Sequence, residues 1–277
     1  MSKFALLIGM NYKGSDSPLN GCINDVKAVR KYLIEKRGYD KNDISVLRDD
    51  LPNSTEPTRD SILFYLQDLI YKANQNNAEE IFFWFSGHGD NDGTGPNLSL
   101  TGEVDKKNEY ILTSDFNVII DNEIRELIGG LNSTTIMYIV MDCCRSGTNT
   151  DLPYVYDVKN SKLRKIQDNT SSISDYDNKT VYAISGCADN DFSTDGPLHV
   201  PFNDPDDVNY SIRANNRAGG LMSIQLLKLL NSNSGYTFLN CLRVLRVNIQ
   251  NFGNSTGQPK IQQPLLCSSV PLNVTLK

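Results

Sequence analysis

The chain has 277 residues, and a hydrophobic content of 39 % over that length supplies a sizeable core for one large domain or two modest ones. Its net charge of -6 comes from interspersed acids and bases, which argues against nucleic acid or an anionic membrane surface as a partner. No apolar run reaches bilayer-spanning length and MSKFALLIGMNY lacks the pattern of a cleaved export signal, so the six cysteines are expected as reduced thiols in the cytoplasm rather than as a disulfide framework.

In chain order, FALLIGM (Phe4 to Met10) reads as a strand buried on both faces. A helical stripe of Val26, Val29 and Leu33 follows Asn24, which has the chemistry of an N-cap, and a second stripe of Ile62, Tyr65, Leu66 and Leu69 follows Pro57-Thr58-Arg59-Asp60. Further buried strands are predicted at EIFFWF (Glu80 to Phe85), TTIMYIVM (Thr134 to Met141) and TVYAIS (Thr180 to Ser185). GGLMSIQLLKLL (Gly219 to Leu230) reads as a helix, Phe238, Leu242, Leu245 and Ile249 mark one face of another, and a last strand is expected near Gln263 to Cys267. This alternation implies βα units around a parallel sheet. Asp90 to Lys107 and Thr148 to Lys179, rich in polar and turn residues, take no assignment and read as long loops.

Ligands of open α/β sheets bind beyond the carboxyl ends of the strands, so the residues just past each buried run carry the search for chemistry. Two such ends stand out: Ser86-Gly87-His88-Gly89 after EIFFWF, and Asp142-Cys143-Cys144-Arg145-Ser146-Gly147 after TTIMYIVM. The chain has two histidines; His199 lies in a polar, proline-containing stretch, whereas His88 sits between glycines that leave room for a substrate backbone. Taken alone, His88 fits a surface loop as well as a general base, and Cys143-Cys144 fits buried packing. Together they fit nucleophilic catalysis, because a thiol of pKa near ~8.5 needs a base to supply thiolate at neutral pH. The spacing agrees with cysteine peptidases that place histidine about 50 residues before the nucleophile. Ser146-Gly147 and Gly89 offer backbone N–H groups to a developing oxyanion.

Five ordered blocks, FALLIGMNY, LNGCINDV, FSGHG, DCCRSG and ISGCADNDFS, resemble those of the metacaspases. The resemblance implies a three-layer α/β/α caspase–haemoglobinase fold with a central, mostly parallel sheet. It also implies a single peptidase domain over 1–277, with a large-subunit-like part to about 180, a small-subunit-like part from there to the end, and a loop over 148–179 between them. No prodomain is expected before the first core strand. By the same resemblance His88 is the base, Cys144 the nucleophile and the oxyanion is met by the backbone at Gly89 and Cys144, while Cys143 and Arg145 stand where many relatives carry serine and histidine. Cys22, Asp25, Ser86 and Asp142 match the pocket for the residue before the scissile bond, and carboxylates there favour arginine or lysine over aspartate.

No cofactor is required by this chemistry. The family's activating calcium site maps onto Asn108, Asp121, Asn122 and Asp151, and asparagine at two of these positions predicts weak calcium dependence or none. Basic residues at Lys162 to Lys165, Arg213 and Arg217 mark where self-cleavage is chemically feasible. The expected partners are protein or peptide substrates bearing arginine or lysine, and the expected state is a monomer. A catalytically silent caspase-like scaffold is the competing expectation from another class. An aspartate-specific enzyme is a third, and it demands basic residues around the pocket.

Overall fold

A computed structural model describes residues 2–50, 55–92, 108–144, 150–159, 162–168, 176–186, 195–197, 218–232, 235–256 and 262–272. The elements run β1 (Lys3–Gly9), α1 (Cys22–Arg37), β2 (Ile44–Arg48), α2 (Arg59–Gln75), β3 (Glu80–Ser86), β4 (Gly89–Asp92), β5 (Asn108–Leu112), β6 (Val118–Ile120), α3 (Asp121–Gly129) and β7 (Ile136–Asp142). They continue as β8 (Tyr154–Lys159), β9 (Lys162–Asp168), β10 (Thr180–Ser185), β11 (Asp195–Pro197), β12 (Ala218–Gly220), α4 (Leu221–Asn231), α5 (Leu242–Thr256) and β13 (Leu265–Ser268).

Eight strands form the central sheet in the order β2-β1-β3-β7-β10-β13-β8-β9. The first five are parallel, whereas β13, β8 and β9 join antiparallel. Alternating residues divide the core between the two faces. Leu6, Ile8, Phe83, Phe85, Ile139 and Met141 pack with α2 and α3, while Leu7, Phe82, Trp84 and Val140 pack with α1, α4 and α5. Near-continuous apolar strands such as IFFWF are what a sheet covered on both faces requires.

The helix stripes lie where the periodicity puts them, with two adjustments. Helix α1 starts at Cys22 with Gly21 at its N-cap, so Asn24 is inside the first turn and not the cap. Thr58 caps α2, its side chain accepting from Ser61 N–H. At the later helix, Gly219 and Gly220 belong to β12, and α4 begins at Leu221.

The stretch 148–179, expected as a connecting loop, instead includes the β8–β9 hairpin, which extends the sheet past β13. Lys162, Arg164 and Lys165 are therefore strand residues: Arg164 pairs with Asp157 at 3.1 Å, and the Lys165 ammonium lies 5.5 Å from the Tyr154 ring centroid. Tyr154, Tyr156 and Val158 carry an alternating apolar face, but charged neighbours and short length hide the strand signal in sequence. Arg213 and Arg217 lie outside the described residues. Beside the main sheet, β4, β5 and β6 form a three-stranded sheet that begins at Gly89, directly after His88.

Candidate active site

The parallel pairing of β3 with β7 sets Ser86 opposite Asp142, so His88 and Cys144 each follow the last paired position by the same short step at the carboxyl edge. The two segments touch. A Cβ built on Gly89 would stand 2.8 Å from the Cys144 carbonyl oxygen and 3.0 Å from Cys143 Sγ, which is why only glycine fits there. Cys143 is fully buried on the α2/α3 face, whereas Cys144 is partly exposed. Arg145, Ser146, Gly147 and His199 lie outside the described residues.

The His88 ring is held from one side. Its Nε2 lies 2.7 Å from the carbonyl oxygen of Ser17, and since a carbonyl only accepts, Nε2 carries the proton and Nδ1 of the neutral ring is the proton acceptor. The Tyr12 ring packs against the imidazole at 4.7 Å between centroids, and the Tyr12 hydroxyl accepts from the His88 N–H at 3.0 Å. The group that orients the ring is a main-chain carbonyl, which has no sequence signature.

Asp25 and Asp142 meet on the α1/α4 side of the same edge. A Cβ on Gly220 would lie 2.2 Å from Asp142 Oδ2 and 2.9 Å from Asp25 Oδ2, so both carboxylates converge on one point. Both residues are buried, which demands compensation for their charge. Asp142 Oδ2 accepts from the Ser223 N–H at 3.0 Å and hydroxyl at 2.5 Å, and Oδ1 accepts from Gln262 Nε2 at 3.0 Å. Ser223 lies in the first turn of α4, whose N-terminal dipole further favours the negative charge. Asp25, in the first turn of α1, accepts from the Gly220 N–H. Cys22 opens α1, buried, with its N–H on Asn11 Oδ1 at 3.1 Å. Ser86 is fully buried, and its hydroxyl accepts from the Trp84 indole N–H at 3.0 Å. Ser223, Gln262 and Gly220 were not singled out from sequence; the Gly219-Gly220 pair ahead of an apolar helix was the available signal.

Of the four positions mapped to calcium, Asp121 and Asp151 have side chains already engaged by protein groups. Asn108 opens β5, and its side chain is outside the described set. Asp121 accepts from the Glu109 and Asn122 N–H groups at 3.1 and 2.7 Å, and burial pushes its carboxyl above the ordinary value beside Glu109. Asp151 accepts from Arg125 Nη1 at 3.0 Å, and the same guanidinium acts electrostatically on Asp121. Arg125 thus neutralises Asp151 and acts on Asp121, and its charge opposes a dication at these two acids. Among the described residues no group of three or more His, Cys, Asp or Glu is arranged to hold a metal.

The sheet order, the covering helices and a cysteine–histidine edge beside paired acids define a caspase-like α/β protein. Known structures agree on the fold: a crystal structure of a Geobacter sulfurreducens protein aligns over 99 % of this chain with a TM-score of 0.58 at 17 % identity, and pro-sf-caspase-1 over 96 % with 0.51 at 10 %. The family model for the metacaspase, peptidase C14 domain matches residues 3–153, more than half of the chain, so the chain belongs to the metacaspase family. Metacaspase-1A of Neurospora crassa is 38 % identical over 164 residues, covering 56 % of this chain and 34 % of that protein. Metacaspase-1 of Cryptococcus neoformans is 42 % identical over 163 residues, again covering 56 % and 34 %. Metacaspase-1B of Aspergillus fumigatus is 38 % identical over 183 residues, covering 62 % and 43 %. The chain therefore spans between about a third and under half of the length of these relatives.

Proposed function

We propose that this protein is a cysteine endopeptidase that cleaves after arginine or lysine, with Cys144 as nucleophile and His88 as general base. The observation that carries the reading is the β3/β7 register, which delivers both residues to one edge with the chain at Gly89 against the Cys144 carbonyl. Cys144 gives its thiol proton to His88 Nδ1, and the thiolate forms a bond to the carbonyl carbon of the residue before the scissile bond. Collapse of the tetrahedral adduct breaks the C–N bond, and the imidazolium returns its proton to the departing amine. Water then loses a proton to His88 and attacks the thioester, releasing the new carboxylate and restoring the thiol.

The antiparallel pairing of Gly89 with Ile111, one step from the bond that Leu112 N–H donates to His88 C=O, turns the Gly89 N–H away from β5. That supports its role as an oxyanion donor, together with the Cys144 N–H. Asp25 and Asp142 support the cationic preference, since a buried pair of carboxylates attracts guanidinium or ammonium and rejects a third carboxylate. Cys22 and Ser86 serve this pocket as packing behind the acids. The chemistry needs no cofactor, and the Arg125–Asp151 pair supports weak calcium dependence or none. A cytoplasmic setting is the reading for a chain whose described cysteines, Cys22, Cys143, Cys144, Cys241 and Cys267, are not bridged to one another, and no helix among the described residues is long and apolar enough to cross a membrane. The sheet ends on β9, whose Lys162, Arg164 and Lys165 are charges of the kind that discourage edge-to-edge pairing, which favours a monomer.

The test is hydrolysis of fluorogenic peptides ending in arginine, lysine or aspartate under reducing conditions, with Cys144→Ala and Cys143→Ala beside the wild type. Turnover of the basic peptides that Cys144→Ala abolishes and Cys143→Ala retains is the expected result. Equal rates in wild type and Cys144→Ala overturn the assignment, and absence of labelling by an arginine chloromethylketone leaves the scaffold reading.

A further inference from the structure

The general base is itself held in place by a residue that lies far from it in sequence and that the chemistry above does not use. In the antiparallel pairing that continues from Gly89–Ile111, His88 faces Leu112, and such a pair ordinarily exchanges two direct hydrogen bonds. One is present: Leu112 N–H donates to His88 C=O at 3.0 Å. In place of the other stands the Tyr12 hydroxyl, which accepts from the His88 N–H at 3.0 Å and donates to the Leu112 carbonyl at 2.6 Å. A phenol is inserted into the ladder at the residue that carries the imidazole.

The same tyrosine sets the loop that reaches the other end of the ring. Tyr12 adopts φ 47, a left-handed conformation uncommon for a bulky residue, and its N–H donates to Asp49 Oδ2 at 2.6 Å while the Asn11 N–H donates to Oδ1 at 2.9 Å. Ser15 N–H donates to the Tyr12 carbonyl and Leu19 N–H to the Asn11 carbonyl, closing the loop whose Ser17 carbonyl receives His88 Nε2. Gly87 completes the fit, since a Cβ there would stand 2.8 Å from the Tyr12 hydroxyl. Burial also raises the Tyr12 phenol well above its ordinary value, so the hydroxyl keeps both donor and acceptor roles throughout the neutral range.

We propose that Tyr12 is a positioning residue for the His88 base: its hydroxyl bridges the His88 N–H to Leu112, and its backbone presents the Ser17 carbonyl that fixes the tautomer. This rests on the peptidase reading above, but it concerns the imidazole and not the acidic pocket, which lies on the opposite face of the sheet. Tyr12→Phe keeps the ring against the imidazole and deletes the bridge. The expected result is a kcat lower by about 10- to 100-fold on an arginine-ending peptide with KM within about twofold of wild type, because a small misplacement of a catalytic group costs rate and not binding.

A readout independent of substrate is the pH dependence of Cys144 alkylation by iodoacetamide in a background with Cys143 replaced by alanine. Loss of base support moves its midpoint up toward that of an ordinary thiol in Tyr12→Phe, which a purely structural role for Tyr12 does not do. Asp49→Asn, which leaves the hydroxyl and loosens the Tyr12 backbone, is the second variant should Tyr12→Phe lose its cooperative thermal transition; a smaller change in the same direction is expected. Unchanged kcat and an unchanged alkylation midpoint in a folded variant overturn the proposal. If wild type fails to cleave any peptide yet its alkylation midpoint still shifts in Tyr12→Phe, the peptidase reading fails and the positioning role stands; a wild-type midpoint already at the ordinary thiol value defeats both.

Discussion

Neutralising one pocket acid at a time separates charge reading from architecture. Asp25→Asn keeps a carbonyl oxygen for the Gly220 N–H, so its folding stability is expected within about 1 kcal/mol of wild type, in the range of an ordinary hydrogen bond. Asp142→Asn keeps the two Ser223 bonds on its carbonyl oxygen but sets an amide NH2 against Gln262 Nε2, a mismatch relieved only if the Gln262 amide turns over in its buried site. That mismatch costs about 1–3 kcal/mol, or a Tm lower by ~2–4 °C for each kcal/mol in a chain of this size. On the proposed specificity both variants lose a carboxylate that would face the substrate cation, worth about 2 kcal/mol or more when such a pair is desolvated, which is about 30-fold in discrimination. The assay is kcat/KM on matched peptides ending in arginine or its neutral isostere citrulline, with thermal melts on the same preparations. Both variants should lose the preference for arginine, and only Asp142→Asn should melt early. An arginine-to-citrulline ratio held within about threefold of wild type in both would refute the acidic-pocket reasoning.

Gly89→Ala pushes a Cβ to 2.8 Å from the Cys144 carbonyl, so one backbone must move; kcat should fall at least about 10-fold while the melting temperature changes by only a few degrees, measured by kinetics and differential scanning calorimetry. Hydrolysis by wild type should be unchanged by a calcium chelator or by added millimolar calcium, whereas Arg125→Ala, which strips the cation from Asp151 and Asp121, should lower stability by about 1–3 kcal/mol in chemical denaturation. Burial raises Tyr12 and Tyr39 above their ordinary values, so the unfolded chain gives up those protons first as pH climbs past ~10. Stability is full below that pH and declines above it by about 1.4 kcal/mol per pH unit for each tyrosine; Tyr39→Phe should flatten the decline by one such increment in urea melts at pH 9 to 12.

Much of this architecture is written locally. Runs such as IFFWF and IMYIVM have no polar position to expose, so they can only be strands covered on both sides, and Thr58 ahead of the α2 stripe marks a helix start by itself. The same locality made His88 and Cys144 legible, because strand ends in a parallel sheet share one edge whatever the details of packing. The β8–β9 hairpin was not legible: its stability comes from pairing with β13, far along the chain, and its charged residues gain partners only there. Asn24 looked like a cap since the chemistry of a cap is local, yet Asn11, whose side chain accepts from Cys22 N–H, fixes the start of α1 nearer Gly21.

By itself, then, the sequence determined which segments are buried strands, which two side chains follow them, and that acids accompany them. Only the tertiary structure decided that a Ser17 carbonyl and a Tyr12 hydroxyl hold the imidazole, that Ser223 and Gln262 compensate Asp142, and that Arg125 stands among the supposed calcium ligands. The physical reason is that strands are specified by their own hydrophobic pattern. A hydrogen bond or an ion pair between distant residues is specified by where the fold brings each partner, and no window of sequence contains both.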